Sequence, residues 1–299
     1  MTARRRIILT GANGLIGKAL SKRLTTLGYV VVPFRSRHDG PGGMNHLTGK
    51  IDREVLEGAY AVIHLAGESI AQRWTDAAKE RIMASRRDGT LLLARTLAGL
   101  KQKPEVFISM SGINRYGLHR TETLDESATV SAEGFLPAVI EAWENATRPA
   151  SERGIRTVLL RTSLVLSSTG GGLRMMLPAF RLGLGGPIGG GHQQMSWIGL
   201  PDLAELIVWT LDDSAVRGPI NAVAPQPVTQ AEFARTLGAV LRRPSFLPTP
   251  GWAIGLLFGQ MGRETVLGDL AARPAAALAG GFRFAKPDLA SALRQAIGE

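Results

Sequence analysis

The chain has no cysteine among its 299 residues. That excludes disulfides, thiolate catalysis and cysteine-ligated zinc, and removes any need for an oxidising compartment. Its five histidines (His38, His46, His64, His119 and His192) are scattered without metal-ligand spacing, so structural or surface roles are expected and no metal is. A membrane-spanning run is also missing. The uncharged stretch Leu182 to Pro201 is dense in glycine and carries His192, Gln193 and Gln194. Acidic residues are absent from Met1 to His38, which together with Arg4, Arg5 and Arg6 imitates a targeting segment. The apolar run breaks after Leu9, however, and a glycine loop occupies the place where cleavage would fall. The N-terminus therefore reads as mature and folded, and a cytoplasmic location is expected. Asn145-Ala146-Thr147 is formally a glycosylation acceptor, but no secretory signal accompanies it. There is no internal repeat.

What is present is an ordinary globular composition, 44% hydrophobic, with length for one large α/β domain or two smaller ones. The net charge of +10 comes mostly from arginine. The arginines are spread along the chain and do not alternate with aromatics, so a basic surface and a polyanionic cofactor explain them better than nucleic acid does.

The organising stretch is Arg6 to Leu20, "RIILTGANGLIGKAL". Four strand-type residues, Ile7 to Thr10, run into Gly11, Gly14 and Gly17, and a helix-forming run follows from Ile16 to Leu27. The first glycine permits a sharp turn, the second lets backbone approach a pyrophosphate, and the third lets helix and strand pack closely. Free N–H groups and the positive end of the helix dipole then hold phosphate. The spacing is G-x-x-G-x-x-G, and its place between a strand and a helix points to dinucleotide binding.

A second buried strand is expected at Tyr29 to Phe34, and others at Ala61 to Gly67, Val106 to Met110 and Thr157 to Leu160. Helices are expected at Trp74 to Leu100, starting near Thr75 or Asp76, and from about Glu133 to Arg153. The alternation argues for a doubly wound parallel sheet of Rossmann type, with ligands at the carboxyl ends of the strands. Past Leu166 glycines and prolines cluster. Residues 1–166 thus read as the dinucleotide-binding domain. Residues 167–299 read as cleft insertions and a smaller cap, with segments returning to the sheet. Leu173, Met175, Met176, Leu177 and Phe180 have the spacing of a core helix face. Trp197 is expected to anchor the cap, Asp202 to cap the following helix, and "GWAIGLLFG" (Gly251 to Gly259) to be a buried helix or an oligomer face.

In such folds an acid ending the second strand holds the ribose of NAD. Here the strand ends in Phe34-Arg35-Ser36-Arg37, with no acid before Asp39. Guanidinium groups would bind a 2′-phosphate and Ser36 could add a hydrogen bond, so NADP is the expected cofactor. The candidate cofactor contacts are Gly11, Asn13, Gly14, Leu15, Ile16 and Gly17 in the loop and first turn. Arg35, Ser36 and Arg37 follow the second strand, and Leu65, Ala66 and Gly67 follow the third.

"TGANGLIG" (Thr10 to Gly17), "HLAGESIA" (His64 to Ala71), "SRRDGT" (Ser85 to Thr90) and "LRTSLVLSSTGG" (Leu160 to Gly171) occur in order. "RLGLGGPIGGGHQQMSWI" (Arg181 to Ile198), "NAVAPQPVTQAEFARTLGAVLRRP" (Asn221 to Pro244) and "GFRFAKPDLASAL" (Gly281 to Leu293) follow. Over nearly its full length the chain resembles the extended short-chain dehydrogenase/reductases, and within them the nucleoside-diphosphate-sugar-epimerase-like subgroup with a small C-terminal domain of unknown function. The resemblance implies a Ser/Thr that polarises the substrate carbonyl and a Y-x-x-x-K pair for proton transfer. This chain has no Y-x-x-x-K. The expected place, Gly134 to Glu144, offers Phe135 or Leu136 for the tyrosine and Val139 or Ile140 for the lysine, and no apolar side chain can move that proton. Ser111 is the counterpart of the serine, and Tyr116 is the candidate compensating proton donor. Glu68, Arg73 and His192 are further polar candidates. Arg86 replaces the asparagine of the family's "N-x-x-G-T" and is a candidate cofactor ligand. Two functions remain open. One is an NADP-dependent oxidoreductase or epimerase-like enzyme acting on a small, sugar-nucleotide-like molecule. The other is a non-catalytic NADP-binding sensor or scaffold. Neither nucleic acid nor a membrane is an expected partner.

Overall fold

The computed structural model describes residues 5–298; Met1 to Arg4, with the first arginine of the basic run, and Glu299 lie outside the described residues. In chain order the elements are β1 (Arg6–Thr10), α1 (Leu15–Thr26), β2 (Val30–Ser36), β3 (Gly43–Asn45), β4 (Lys50–Ile51), α2 (Arg53–Leu56), β5 (Ala61–His64), α3 (Asp76–Ala98), β6 (Val106–Gly112), a short 3₁₀ turn (Ile113–Tyr116), β7 (His119–Leu124), α4 (Phe135–Asn145) and α5 (Arg148–Ser151). The second half contains β8 (Arg156–Thr162), β9 (Leu164–Leu166), α6 (Gly171–Arg181), β10 (Gln194–Met195), β11 (Trp197–Gly199), α7 (Leu200–Asp212), β12 (Gly218–Ala222), β13 (Val228–Thr229), α8 (Gln230–Val240), α9 (Gly251–Thr265), β14 (Asp269–Ala272), α10 (Ala275–Ala279) and α11 (Leu289–Ile297).

Successive side chains of a strand point to opposite faces. In β1 this sends Ile7 and Leu9 to a core with Leu20 and Leu24 of α1 and Leu206 and Ile207 of α7. Ile8 goes to a second core with Leu93 and Leu97 of α3. Helices on both faces are what lets β1 be apolar throughout. The sheet runs β12-β8-β6-β5-β1-β2-β3-β4. Every pairing is parallel except the edge hairpin β3–β4. From β1 the chain moves outward to β2 and then returns to β5 on the other side. The strand order therefore reverses between β1 and β5, and this is where a crevice opens at their carboxyl ends.

The α/β sheet matches the sequence reading, with differences at the edges of elements. The helix expected from Glu133 to Arg153 is two, α4 and α5, interrupted at Ala146–Thr147 ahead of Pro149, because proline favours a helix's first turn over its interior. The second strand is less buried than expected and runs on through Arg35 and Ser36. Asp202 does not cap α7; Gly199 holds that position. Its buried carboxylate instead accepts the N–H groups of Ala285 (2.9 Å) and Lys286 (3.0 Å), tying the C-terminal segment to α7. Leu173, Leu177, Phe180 and Trp197 are buried together in one core with α8 and α11, while Met175 faces solvent. Gly251 to Gly259 forms the first turns of α9 and is buried on one side only: Ile254 faces inward, while Trp252, Leu256 and Leu257 are exposed.

Candidate functional site

The glycine turn performs two of the three roles its spacing implies through visible contacts. Gly11 sits at φ +70°, and a Cβ there would lie 2.9 Å from the Leu65 carbonyl carbon. At Gly17 a Cβ would lie 2.2 Å from the Gly11 oxygen, so only glycine allows α1 to pack against the turn. Gly14 is the N-cap of α1 and brings no side chain to it, and the first turn holds no acid. The leading N–H groups of the helix, Leu15, Ile16 and Gly17, therefore have no intrahelical acceptor.

This turn is one wall of a cleft of about 610 Å³. Gly11 to Gly14, Pro33 to His38, Met44, His46, Leu65 to Glu68 and Ser85 line it. The cleft thus brings together Gly11, Asn13, Gly14, Arg35, Ser36, Arg37, Leu65, Ala66 and Gly67 from three separate segments. Leu15, Ile16 and Gly17 stand behind the wall in α1. His46 and Met44 were not legible as lining residues. They arrive because β3 pairs alongside β2, with Ser36 opposite Met44.

The far end of the cleft is cationic. Arg35 donates to the Pro41 carbonyl at 2.9 Å, and Arg37, in the left-handed region at φ +56°, pairs with Glu68 at 2.8 Å. Burial opposes the charge of Glu68, but the Gln72 amide and Arg37 outweigh it and hold its carboxyl below the usual range. Asp39, the first acid after β2, is occupied elsewhere by Asn45 (2.7 Å) and Thr48 (2.9 Å). Burial, and then the charge of Arg37, push the His46 imidazole down.

Beneath the turn, Thr10 of β1 accepts the N–H groups of Leu65 (3.1 Å) and Ala66 (3.2 Å), which leaves its own proton for His64 Nδ1 at 2.7 Å. His64 Nε2–H then donates to Thr90 of α3 at 3.1 Å. Full burial, then Arg86, push the His64 pKa down to about 4, so the ring is a neutral rivet through β1, β5 and α3. A pKa lowered on folding contributes stability that is complete above the free-histidine value near 6.5 and is lost as pH falls from there towards 4. Roughly 3 kcal/mol is expected to disappear across that window. His64→Gln, which keeps one donor and one acceptor, should flatten it. Chemical denaturation at several pH values checks this, and an unchanged slope in the variant would sink the assignment.

Arg86 does not line the cleft. Its guanidinium donates to the Glu68 carbonyl at 2.9 Å and lies 5.0 Å from the centre of the Trp143 ring. A Cβ on Gly67 would come within 3.2 Å of it. Burial pushes its pKa down to about 10, with Glu68 opposing. It props the Gly67–Glu68 turn from behind.

At the carboxyl ends of β6 and β8 lies a second cluster. Ser111 donates to Glu144 Oε1 at 2.7 Å. Glu144 accepts two further bonds from Arg161, both 2.8 Å, and lies 3.6 Å from Arg115, which also pairs with Glu141 at 2.9 Å. Burial disfavours the Arg161 charge, but Glu144 outweighs it and raises the pKa. With its proton committed to a carboxylate, Ser111 is free to accept a hydrogen bond and must leave Glu144 to polarise a carbonyl. Ser163 Oγ, directly after β8, is buried without a protein partner. Tyr116, like Arg86, stands away from the cleft it was expected to serve. The 3₁₀ turn carries it into the interior, where its hydroxyl donates to Asn221 Oδ1 at 2.9 Å and burial raises its pKa. It is a packing residue and not a proton donor at the cleft. The α4 positions expected for the tyrosine and lysine are equally closed. Leu136, Val139 and Ile140 pack with Trp74, Ile82 and Met261, and Phe135 meets Trp74 edge-on. Buried Glu264 of α9 caps this helix, accepting from Phe135 N and Leu136 N. Arg73 and His192 are exposed.

Residues 7–222 match the NAD dependent epimerase/dehydratase family, and residues 249–296 match a domain of unknown function, DUF1731. The human epimerase family protein SDR39U1 is 34% identical over 98% of this chain and 99% of its own length. The Bacillus subtilis epimerase family protein YfhF is 33% identical over 98% of both. A crystal structure of the human protein with NADPH superposes with a TM-score of 0.89, 33% identity and coverage of 98% of this chain and 99% of that one. A Corynebacterium glutamicum nucleoside-diphosphate sugar epimerase gives 0.80 at 32% identity, covering 99% of this chain and 59% of that one. With its parallel sheet, glycine turn and appended C-terminal domain, the chain belongs to the NAD-dependent epimerase/dehydratase family of extended short-chain dehydrogenase/reductases, in the branch that carries DUF1731.

Proposed function

We propose that this chain binds NADP(H) and acts as an oxidoreductase or epimerase-like enzyme on a small hydroxyl- or carbonyl-bearing molecule, of which a sugar nucleotide is one class. The observation that carries the cofactor half is the cationic end of the cleft, where Arg35, Ser36, Arg37 and His46 gather and Asp39 is tied away. The residues fit the group. The first-turn N–H groups of α1 lack acceptors, and the place of a Cβ on Gly14 meets only the Gly11 oxygen on the protein side. The NADPH in the human relative's crystal structure supports the same choice. Gly11, Asn13, Gly14, Leu15, Ile16 and Gly17 would hold the pyrophosphate, Arg35, Ser36 and Arg37 the 2′-phosphate, and Leu65, Ala66 and Gly67 the wall between. Arg86 would support that wall through the Glu68 carbonyl.

When bound, NADP(H) supplies hydride exchange with a carbon bearing oxygen. Ser111 is the hydroxyl at the strand ends that would orient the substrate oxygen. The apolar positions of α4 at Phe135, Leu136, Val139 and Ile140 offer no proton. A second reading, an NADP(H)-binding sensor or scaffold without turnover, is favoured by the commitment of Ser111 to Glu144. Calorimetric titration with NADPH and NADH tests the cofactor assignment, with clear preference for NADPH expected and equal affinities overturning it. Consumption of NADPH, followed by absorbance against a panel of carbonyl compounds and sugar nucleotides, separates enzyme from sensor. Slow turnover, lost in Ser111→Ala, is the expected result, and tight NADPH binding without turnover of any of them assigns the sensor.

A further inference from the structure

Two glycine- and proline-rich segments of the C-terminal half lie side by side. Arg243 donates to the Arg181 carbonyl at 3.0 Å, Thr249 N to Pro187 O at 2.8 Å and Gly189 N to Thr249 O at 3.0 Å. The segments touch so closely at Gly186 that a Cβ there would fall 2.1 Å from the Leu247 oxygen. Helix α9 starts directly behind them. It turns Ile254 and Met261 inward and breaks at Gly259, φ 61°, so its first two turns stand as a short unit of their own. Across this joined surface Leu182, Leu184, Phe246, Trp252, Leu256 and Leu257 are exposed, Phe246 by 73% and Trp252 by 74%. None of them lines the cofactor cleft. Large exposed apolar side chains gathered on adjoining segments mark an interaction surface.

Its charge decides what it meets. No Asp or Glu occurs between Glu152 and Asp202, or between Glu232 and Glu264, so both contributing segments are free of carboxylates. Arg181, Arg242, Arg243 and Arg263 lie within them and are exposed. A second copy docked through this same face would set one arginine-bearing, carboxylate-free surface against another. An anionic lipid surface suits both features: Trp, Phe and Leu enter the headgroup–acyl boundary while guanidinium groups meet phosphate. We propose that this face docks peripherally on an anionic bilayer, with the first turns of α9 lying in the interface. Among the described residues no helix is long and apolar enough to cross a membrane. The expectation of no membrane partner rested on the absence of a span, which peripheral docking does not need.

The test is flotation of the purified full chain with vesicles of equimolar phosphatidylcholine and phosphatidylglycerol, against phosphatidylcholine alone, at low and high salt. Binding to the anionic vesicles only, weakened by salt, is expected. Trp252→Ser combined with Leu256→Ser should lower vesicle affinity about tenfold or more, and Arg242→Ser with Arg263→Ser should remove the preference for anionic lipid. Both double variants alter exposed side chains, so the thermal midpoint and NADPH affinity should stay as in the parent. Equal binding to neutral vesicles, or variants that float like the parent, overturns the proposal. So does failure to float; a dimer in sedimentation that Trp252→Ser dissolves would then assign the face to a second copy.

Discussion

Replacing Glu144 by leucine is expected to destabilise the fold by about 3–5 kcal/mol, because it strands a buried cation. The Arg161 side chain is 6% exposed and that of Glu144 10%, and the pair is joined by two parallel 2.8 Å bonds. Without the carboxylate, Arg161 keeps the face of the Tyr116 ring, 4.9 Å from its centre, and little else that is negative. Ser111 also loses its acceptor. Glu144→Gln retains an acceptor and should cost less, because only the charge is lost. Removing both charges together, as Glu144→Leu with Arg161→Met, should recover much of the loss, since a buried ion pair replaced by apolar volume is often close to neutral. Urea midpoints of the four proteins measure this. A Glu144→Leu change of under about 1 kcal/mol would show that water reaches the pair and that it behaves as a surface bridge.

That cluster also shows where sequence reasoning stops. The strand–turn–helix at the start was legible because its signals are local: a contiguous apolar strand, glycines at fixed steps, then a helical run. Glu144 and Arg161 are local to nothing. Glu141 and Glu144 recur at the spacing of one helix face, which on a lone helix reads as the solvated side. Here that face meets Arg115 and Arg161 from other elements, and Glu144 is buried while Glu141 stays at the edge. Tyr116 misleads for the opposite reason. It is five residues from Ser111, and proximity along the chain suggested a shared site, but the 3₁₀ turn folds it away towards Asn221. The hairpin β3–β4 has three- and two-residue strands, too short for any periodicity, yet it delivers Met44 and His46 to the cleft. In α9, composition showed that the segment was apolar and could not show which side the fold would cover.

The loop after β2 yields the second large effect. Arg35→Ala combined with Arg37→Gly is expected to weaken NADPH binding at least a hundredfold, about 3 kcal/mol, while NADH binding changes little. Glycine is the suitable replacement at 37 because Arg37 sits at φ +56°, where glycine relieves strain that alanine would keep. In the free protein Arg37 is paired with Glu68, but the side chains are 46% and 21% exposed, so solvent screens that bridge and it is weak. A phosphate dianion can therefore take Arg37 from Glu68 at small cost. Once Arg37 is gone, the Glu68 carboxylate faces the same end of the cleft without its partner and repels the 2′-phosphate, which adds to the loss of the two cations. Adding Glu68→Gln to the double variant should then restore part of the NADPH affinity, and that partial rescue separates repulsion from the missing contacts. Calorimetry with both cofactors at low and moderate salt provides the comparison, and the difference between them should narrow as salt screens the charges. If the double variant loses NADH as steeply as NADPH, the arginines hold the loop and not the phosphate.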